Sequence, residues 1–230
     1  MGRYDIVLWD ADATLLDFKK SQEYALKAGF AYFHYHMTPQ ILERYDKIND
    51  SFWKRLERGE VDRKTLQTGR FLQLFEEFSI DHIDAKQMQK IYERELGNVF
   101  FYIDNSYDLC MSLKENYRQF IVTNGNAAVQ KNKLHLAGFD SIMEDIFISE
   151  EIGEAKPHKL FFDRCFQKIG VKDRDRVLIV GDSLTSDIRG GNNCGIATCW
   201  YNPTGMINDT DVIVTYEIKH LQEIKTILKE

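Results

Sequence analysis

The feature of this 230-residue sequence that most constrains its fold is a set of six short apolar runs. They span residues 4–9, 120–124, 145–149, 176–181, 197–201 and 211–216. Most are continuously apolar rather than alternating, which is typical of parallel strands that are covered on both faces. Amphipathic stretches, among them 128–137 and 158–169, lie between the runs. This alternation predicts an α/β fold with a doubly wound, Rossmann-like parallel sheet.

Residues 18–100 have a different pattern, with helical periodicity and no comparable strand-like run. Apolar residues recur at steps of three and four within 38–59, where Gly59 is placed to end a helix. Further helical patterns cover 63–78 and 84–96. We therefore predict an α/β core of residues 1–17 and 101–230 and an inserted all-helical cap of residues 18–100. Because the cap leaves the core after its first strand, we expect it to act as a lid over a site there.

The charge of the chain limits the classes of partner. Lys plus Arg number 30 and Asp plus Glu number 36, which gives a net charge of −6, and both signs are mixed along the sequence. This distribution argues against a nucleic-acid partner. An anionic substrate would need a local positive site or a bound metal, since the overall field repels it.

The sequence also predicts a cytoplasmic protein without a membrane partner. No apolar run approaches the roughly 18 residues that a membrane span requires. The acidic Asp5 lies too near the first residue for the sequence to begin with a signal peptide. Four cysteines without CxxC spacing fit free thiols in a reducing compartment. The sequence leaves open whether the protein is a monomer or a homodimer.

Two aspartates, Asp10 and Asp12, follow the first apolar run. Strand alternation would send both side chains to the same side, where two carboxylates repel unless a cation or a proton lies between them. With Mg²⁺ beside Asp10, that carboxylate can attack an electrophile while Asp12 moves a proton. Taken alone, the pair is also compatible with a turn or a helix cap.

Polar groups follow two further strands. Thr123 and Asn124 lie between a strand and a helix, where a hydroxyl, an amide and backbone N–H groups can hold phosphate oxygens. Lys156 precedes Pro157, and a proline at a helix start keeps the residue before it extended, so that the cation can point into a cleft.

The segment "IVGDSLTSDIRGG" adds Asp182 and Asp187 after another strand. An oxygen-rich cluster of this kind suits Mg²⁺ better than zinc. For Asp187, capping of the following helix is the alternative to support of a metal.

These four segments resemble the motifs of the haloacid dehalogenase (HAD) superfamily of phosphatases, in order and with appropriate separations. The motifs are Asp10 to Thr14, Thr123 in "VTNG", Lys156 in "AKP", and "GDSLTSD". The segments "ERGEVDRKTLQTGRF", "GDSLTSDIRGGNNCGIATCWYNP" and "TYEI" are similar to pyrimidine 5′-nucleotidases of the YjjG/YfnB type. One departure is Ala13, since glycine is common at that position in the superfamily.

The resemblance implies a Mg²⁺-dependent phosphomonoester hydrolase acting on nucleoside 5′-monophosphates, with pyrimidines preferred and the cap selecting the substrate. It implies that Asp10 forms an aspartyl-phosphate and that Asp12 is the acid and base. The groups expected to bind the substrate are Ala11, Thr123, Asn124, Gly125 and Lys156. The groups expected at the Mg²⁺ are Asp10, the backbone carbonyl of Asp12, Asp182 and, farther from the ion, Asp187.

Other functions stay open at this point. A sugar-phosphate phosphatase or a phosphomutase would use the same core, and a non-catalytic phosphate-binding module would use the same polar groups. Within the cap, the segment "FAYFHYHM" with His34 and His36 fits a base-stacking platform, a metal pair or ordinary core packing. Trp53, Arg70 and Phe71 are candidates for contact with a base or a ribose.

Overall fold

The structure, a computed structural model, describes residues 2–229. Its centre is one sheet of six parallel strands: β1 (Ile6–Trp9), β2 (Arg118–Thr123), β3 (Asp145–Ile148), β4 (Val177–Gly181), β5 (Ala197–Tyr201) and β6 (Tyr216–Ile218). The strand order is β3–β2–β1–β4–β5–β6. The order reverses between β1 and β4, which is the point where ligands bind in open α/β sheets. The predicted doubly wound α/β fold is confirmed.

Both faces of the sheet are buried, which explains why the apolar runs are continuous. In β1, Val7 and Trp9 pack into the apolar core on one face, and Ile6 and Leu8 pack into the core on the other. The helices associated with the sheet are α5 (Ser106–Leu113), α6 (Ala127–Leu136), α7 (Ser149–Ile152), α8 (Lys159–Ile169), α9 (Arg189–Cys194) and α10 (Ile224–Ile227). Among the described residues, none of the helices has the length and apolar character needed to cross a membrane.

The sixth predicted strand, 211–216, is wrong in position, because the strand found there is β6 at Tyr216–Ile218. In the segment before β6, the side-chain amide of Asn192 accepts from the Ile213 N–H at 2.7 Å and donates to the Ile213 carbonyl at 2.9 Å. The Thr198 hydroxyl donates to the same carbonyl at 3.0 Å. Since side chains take the place of a neighbouring strand, the segment 211–215 forms no ladder, and Val212 is buried whereas Ile213 is 73% exposed.

Contacts divide the chain into two units, one containing the residues up to Phe18 and those from Phe100 onward, and the other containing Lys19–Val99. The helices of the second unit are α1 (Phe18–Tyr32), which begins at the boundary, α2 (Pro39–Glu57), α3 (Arg63–Glu77) and α4 (Ala85–Gly97). Whether this helical unit covers a site in the other unit stays a prediction.

Local signals set the ends of these helices. The side chains of Thr38, Asp62 and Asp84 accept backbone N–H groups at the starts of α2, α3 and α4. Helix α2 ends one residue before Arg58, and the following Gly59 has a φ of +71°, a conformation that favours glycine. The predicted stop at Gly59 is therefore confirmed.

Candidate active site

The predicted site residues on the α/β unit lie at the carboxyl ends of the central strands. Asp10 follows β1, and its N–H donates to the Val180 carbonyl of β4 at 2.9 Å. Thr123 is the last residue of β2, and Asp182 directly follows β4. The topology therefore brings groups that are far apart in the sequence to one edge of the sheet.

Lys156 is the centre of this cluster. Its ammonium donates to Asp10 Oδ1 at 2.6 Å, to Asp187 Oδ1 at 2.7 Å and to the Val122 carbonyl at 2.7 Å. These three bonds use all three donors of the ammonium, and the residue is only 2% exposed. Burial opposes the charge, but Asp10 and Asp187 outweigh burial and raise the pKa of Lys156.

The backbone of Lys156 is fixed by Asn124. The Asn124 amide donates to the Lys156 carbonyl and accepts from the Lys156 N–H, both at 2.9 Å. Asn124 was expected to bind phosphate, whereas its side chain joins the loop before α8 to the end of β2. Pro157 also differs from expectation, since α8 begins at Lys159 and the Lys156–Pro157 peptide bond is cis.

One carboxylate oxygen each from Asp10, Asp182 and Asp187 lies within 4.8 Å of the others. Asp187 is held by a short π-helix, Leu184–Ile188, and its Oδ2 accepts the Ser183 N–H at 3.1 Å. A Cβ at Gly181 would overlap the Asp187 carboxylate, so glycine is required for this close approach.

The electrostatics of this carboxylate cluster fit a divalent cation. Burial raises the pKa of Asp10 to about 7; Lys156 opposes the rise, and the charge of Asp187 adds to it. Burial, followed by the charges of Asp10 and Asp187, also raises the pKa of Asp182 well above its usual value. A cation would relieve this repulsion, and an all-oxygen donor set suits Mg²⁺. The residues present therefore fit the ion that the sequence analysis implies.

The side chain of Asp12 has a separate set of partners. Its Oδ1 forms an ion pair with Lys133, which is buried, and its Oδ2 accepts from Gln130 Nε2 at 2.8 Å. The side chains of Asp10 and Asp12 were expected to converge on one cation. In the structure each carboxylate pairs with its own lysine, Asp10 with Lys156 and Asp12 with Lys133. The strand alternation on which that expectation relied does not apply, because β1 ends at Trp9.

Sequence reasoning missed Gln130 and Lys133. They lie one turn apart in α6, seven and ten residues after Thr123. Their spacing places both on one face of a helix that is expected to pack against the sheet, but this weak local signal does not identify Asp12 as their partner.

The remaining predicted substrate-binding residues have backbone roles in the structure. The Gly125 N–H donates to Thr123 Oγ1 at 3.3 Å, and a Cβ at Gly125 would overlap the Gln130 side chain. The Ala11 carbonyl accepts the N–H groups of Leu15 and Leu16, which forms the turn after β1.

The candidate residues of the helical unit do not form a metal site. Among residues 2–229, the group of carboxylates around Asp10 is the metal-like cluster found, and it includes neither His34 nor His36, both exposed. Phe71 is fully buried within the helical unit, and Arg70 is 5% exposed. Trp53 is half-buried, with the Arg63 guanidinium 5.9 Å from its ring centroid.

Comparisons with known proteins show the family to which the chain belongs. Residues 4–195 match the haloacid dehalogenase-like hydrolase family. The chain is 36% identical over 228 residues to YfnB of Bacillus subtilis, covering 99% of this chain and 97% of that protein. A crystal structure of YfnB bound to magnesium superimposes with a TM-score of 0.95, at 35% identity, over 99% of this chain and 100% of that chain.

Two further relatives have named activities. The pyrimidine 5′-nucleotidase PynA of Streptococcus pneumoniae is 33% identical over 96% of this chain and 93% of its own length. The pyrimidine 5′-nucleotidase YjjG of Escherichia coli is 29% identical over 98% of both chains. The family match and the full-length relatives show that the chain is an enzyme that belongs to the haloacid dehalogenase-like hydrolases.

Proposed function

We propose that this protein is a Mg²⁺-dependent phosphatase that hydrolyses nucleoside 5′-monophosphates, with pyrimidine nucleotides preferred. The observation that carries the proposal is the carboxylate cluster of Asp10, Asp182 and Asp187 around Lys156, at the switch point of the sheet. The full-length similarity to PynA and YjjG supports the choice of substrate class.

In the proposed reaction, Asp10 is the nucleophile. Lys156 holds its Oδ1, which leaves Oδ2 as the attacking atom. A bond forms between phosphorus and this oxygen while the bond from phosphorus to the ribose 5′ oxygen breaks, and Asp12 gives a proton to the leaving oxygen. Water then attacks phosphorus and gives a proton to Asp12 while the bond from phosphorus to Asp10 Oδ2 breaks, which releases inorganic phosphate and restores the free carboxylate of Asp10.

The phosphate is held by groups at the end of β2. The hydroxyl of Thr123 accepts from Gln130 at 2.7 Å, and its own hydrogen is available to a phosphate oxygen. Lys156 contributes positive charge and fixes the Asp10 carboxylate; its three hydrogens are donated to protein oxygens rather than to the phosphate. Mg²⁺ would be held by Asp10, the Asp12 carbonyl and Asp182, with Asp187 behind them, and would neutralise charge on the carboxylates and the phosphate.

The test is phosphate release by the purified protein from a panel of nucleoside 5′-monophosphates and sugar phosphates, with Mg²⁺ or with EDTA. We expect metal-dependent release that favours UMP, dUMP or dTMP, and none from Asp10→Asn. A second readout is thermal unfolding, since Mg²⁺ should raise the Tm of the wild type and not that of Asp182→Asn.

Other outcomes would change the proposal in defined ways. Hydrolysis confined to sugar phosphates would keep the chemistry and reject the nucleotide as substrate. Transfer of the phosphoryl group back to product would indicate a phosphomutase, and binding without turnover would indicate a phosphate-binding module. Full activity in EDTA would contradict the metal requirement.

A further inference from the structure

We propose that Lys133 and Gln130 are positioning residues that hold the carboxylate of Asp12 in the direction in which it exchanges protons. The inference rests on the proposed phosphatase function, because it concerns the group that donates a proton to the leaving oxygen. It adds two residues of α6 to the reaction, neither of which belongs to the four sequence motifs.

The first observation is the burial of Lys133. Its side chain is 1% exposed, and its ammonium forms an ion pair with Asp12 Oδ1, whose side chain is 25% exposed. Burying an unpaired ammonium costs free energy, so the Asp12 carboxylate stabilises the charge of Lys133 while Lys133 holds the carboxylate in place. The Asp12 side chain itself stays partly exposed.

The second observation is that Gln130 joins two groups of the proposed reaction. Its Nε2 donates to Asp12 Oδ2 at 2.8 Å and to Thr123 Oγ1 at 2.7 Å, which uses both hydrogens of the amide. The proton-exchanging carboxylate and the phosphate-binding hydroxyl are therefore set relative to each other by one buried side chain. Gly125 leaves the space that this side chain occupies.

The third observation is the helix that carries both residues. Gln130 and Lys133 lie at i and i+3 of α6 and so share one face. The helix starts directly after the "TNG" segment, and its first turn is capped by Asn126, whose Oδ1 accepts the Val129 N–H at 3.1 Å. A capped helix is a firmer support for a catalytic group than a loop.

Both oxygens of the Asp12 carboxylate are thus held from one side, one by a cation and one by an amide. Without these bonds the carboxylate would rotate, and fewer bound substrates would have an aligned proton donor. General acid–base catalysis contributes about 10²–10⁴-fold, so loss of alignment should cost part of that, roughly 10–100-fold. The effect should depend on how much the leaving group needs a proton.

The experiment compares two substrates in single-turnover reactions of Lys133→Met and Gln130→Met. One is UMP, or whichever alkyl phosphate of the panel the wild type hydrolyses, because its leaving alkoxide needs a proton. The other is p-nitrophenyl phosphate, whose leaving phenolate does not. We expect phosphoenzyme formation from UMP to slow by roughly 10–100-fold, whereas the rate of p-nitrophenolate release from p-nitrophenyl phosphate stays within about threefold of the wild type.

Two further variants serve as rescue and control. Lys133→Arg keeps a cation opposite Asp12 and should recover part of the rate with UMP. Lys131→Met removes an exposed lysine of the same helix, paired with Glu151, and should leave both rates unchanged. Thermal unfolding of each variant identifies a folding defect, and Gln130→Met tests the inference without changing charge if Lys133→Met does not fold.

Equal slowing of both substrates, or wild-type rates with both, would overturn the inference and assign these residues a structural role only. Failure of the proposed phosphatase chemistry looks different, because the wild type itself would then release phosphate from neither compound. In that case the inference falls with the function on which it rests.

Discussion

Lys156 of the α/β unit and Arg70 of the helical unit are both deeply buried cations, and their surroundings differ. In the α/β unit, Lys156 donates to two carboxylates and a backbone carbonyl. In the helical unit, Arg70 donates to the side-chain carbonyls of Asn49 at 2.6 Å and Gln89 at 3.0 Å. Its guanidinium also lies 4.9–5.8 Å from the ring centroids of Tyr45, Phe71 and Tyr92.

The difference concerns which charge is in excess. Around Lys156 three carboxylates, those of Asp10, Asp182 and Asp187, face one ammonium, so the site retains attraction for a further cation. Around Arg70, amide dipoles and aromatic faces stabilise the charge, and no ion pair of Arg70 is found in residues 2–229. Asn49, Arg70 and Gln89 belong to α2, α3 and α4, so the arginine ties three helices together.

A buried cation is therefore not by itself a sign of a catalytic site. What indicates a catalytic site is an excess of carboxylates over cations at the strand ends where ligands bind, as at the end of β1. A buried cation that is fully surrounded by neutral partners instead stabilises the packing of its helices. Removal of Lys156 should therefore lower catalysis, whereas removal of Arg70 should lower stability.

The largest effect is expected for Lys156→Met. The substitution leaves the carboxylates of Asp10 and Asp187 without their cation, so the nucleophile loses its orientation and repels the phosphate. Loss of one preorganised electrostatic group costs about 10²–10³-fold in kcat, and we expect at least that. The measurement is kcat with UMP at saturating Mg²⁺, on protein shown to be folded.

The control for Lys156→Met is Lys159→Met, which removes an exposed lysine paired with Asp163 at the start of α8. This variant should keep wild-type kcat. Near-normal turnover in Lys156→Met would mean that the metal alone provides the positive charge of the site. Lys156 would then differ from Arg70 in its surroundings but not in a role in catalysis.

For Arg70→Met we expect a loss of stability with little loss of catalysis. The carbonyls of Asn49 and Gln89 would lose their donors inside the unit, and the aromatic rings would lose the guanidinium. Unsatisfied buried acceptors cost about 1–3 kcal/mol each, so the loss of two donors should lower the free energy of unfolding by roughly 2–6 kcal/mol. Urea unfolding gives this value, and kcat and KM of the folded variant should stay close to those of the wild type.

Arg44→Met is the matched control in the same unit, because Arg44 pairs with Glu77 at the surface. It should cost less than about 1 kcal/mol. A strong rise in KM for UMP in Arg70→Met, without loss of stability, would instead support the earlier interpretation that Arg70 contacts a base or a ribose.

Much of the α/β unit could be predicted from the sequence because its signals are local. A continuous apolar run indicates a strand buried on both faces, and the chain then places Asp10, Thr123 and Asp182 at strand ends by topology alone. The segment 211–216 failed because its partners are the side chains of Asn192 and Thr198, which no periodicity reports.

The partners of the site residues were beyond local reasoning. Lys133 and Gln130 look like ordinary polar residues of an amphipathic helix, and their burial depends on Asp12, 121 and 118 positions away. The same holds for Arg70, which sequence reasoning placed as a candidate for substrate contact and whose observed partners lie in two other helices. A charge can be recognised in a sequence, but its neighbours are set by the fold.

The smallest expected effect compares backbone strain in the two units. Ala13 has a φ of +67° in the turn after β1, and His34 has a φ of +54° after α1. The left-handed region of φ penalises a Cβ, and histidine tolerates this region better than alanine does. Ala13→Gly should therefore raise the free energy of unfolding by about 0.5–1 kcal/mol, and His34→Gly should raise it by less. Urea unfolding without Mg²⁺ measures both. Equal changes, or a loss of stability in Ala13→Gly, would show that the turn beside the nucleophile is no more strained than the loop of the helical unit.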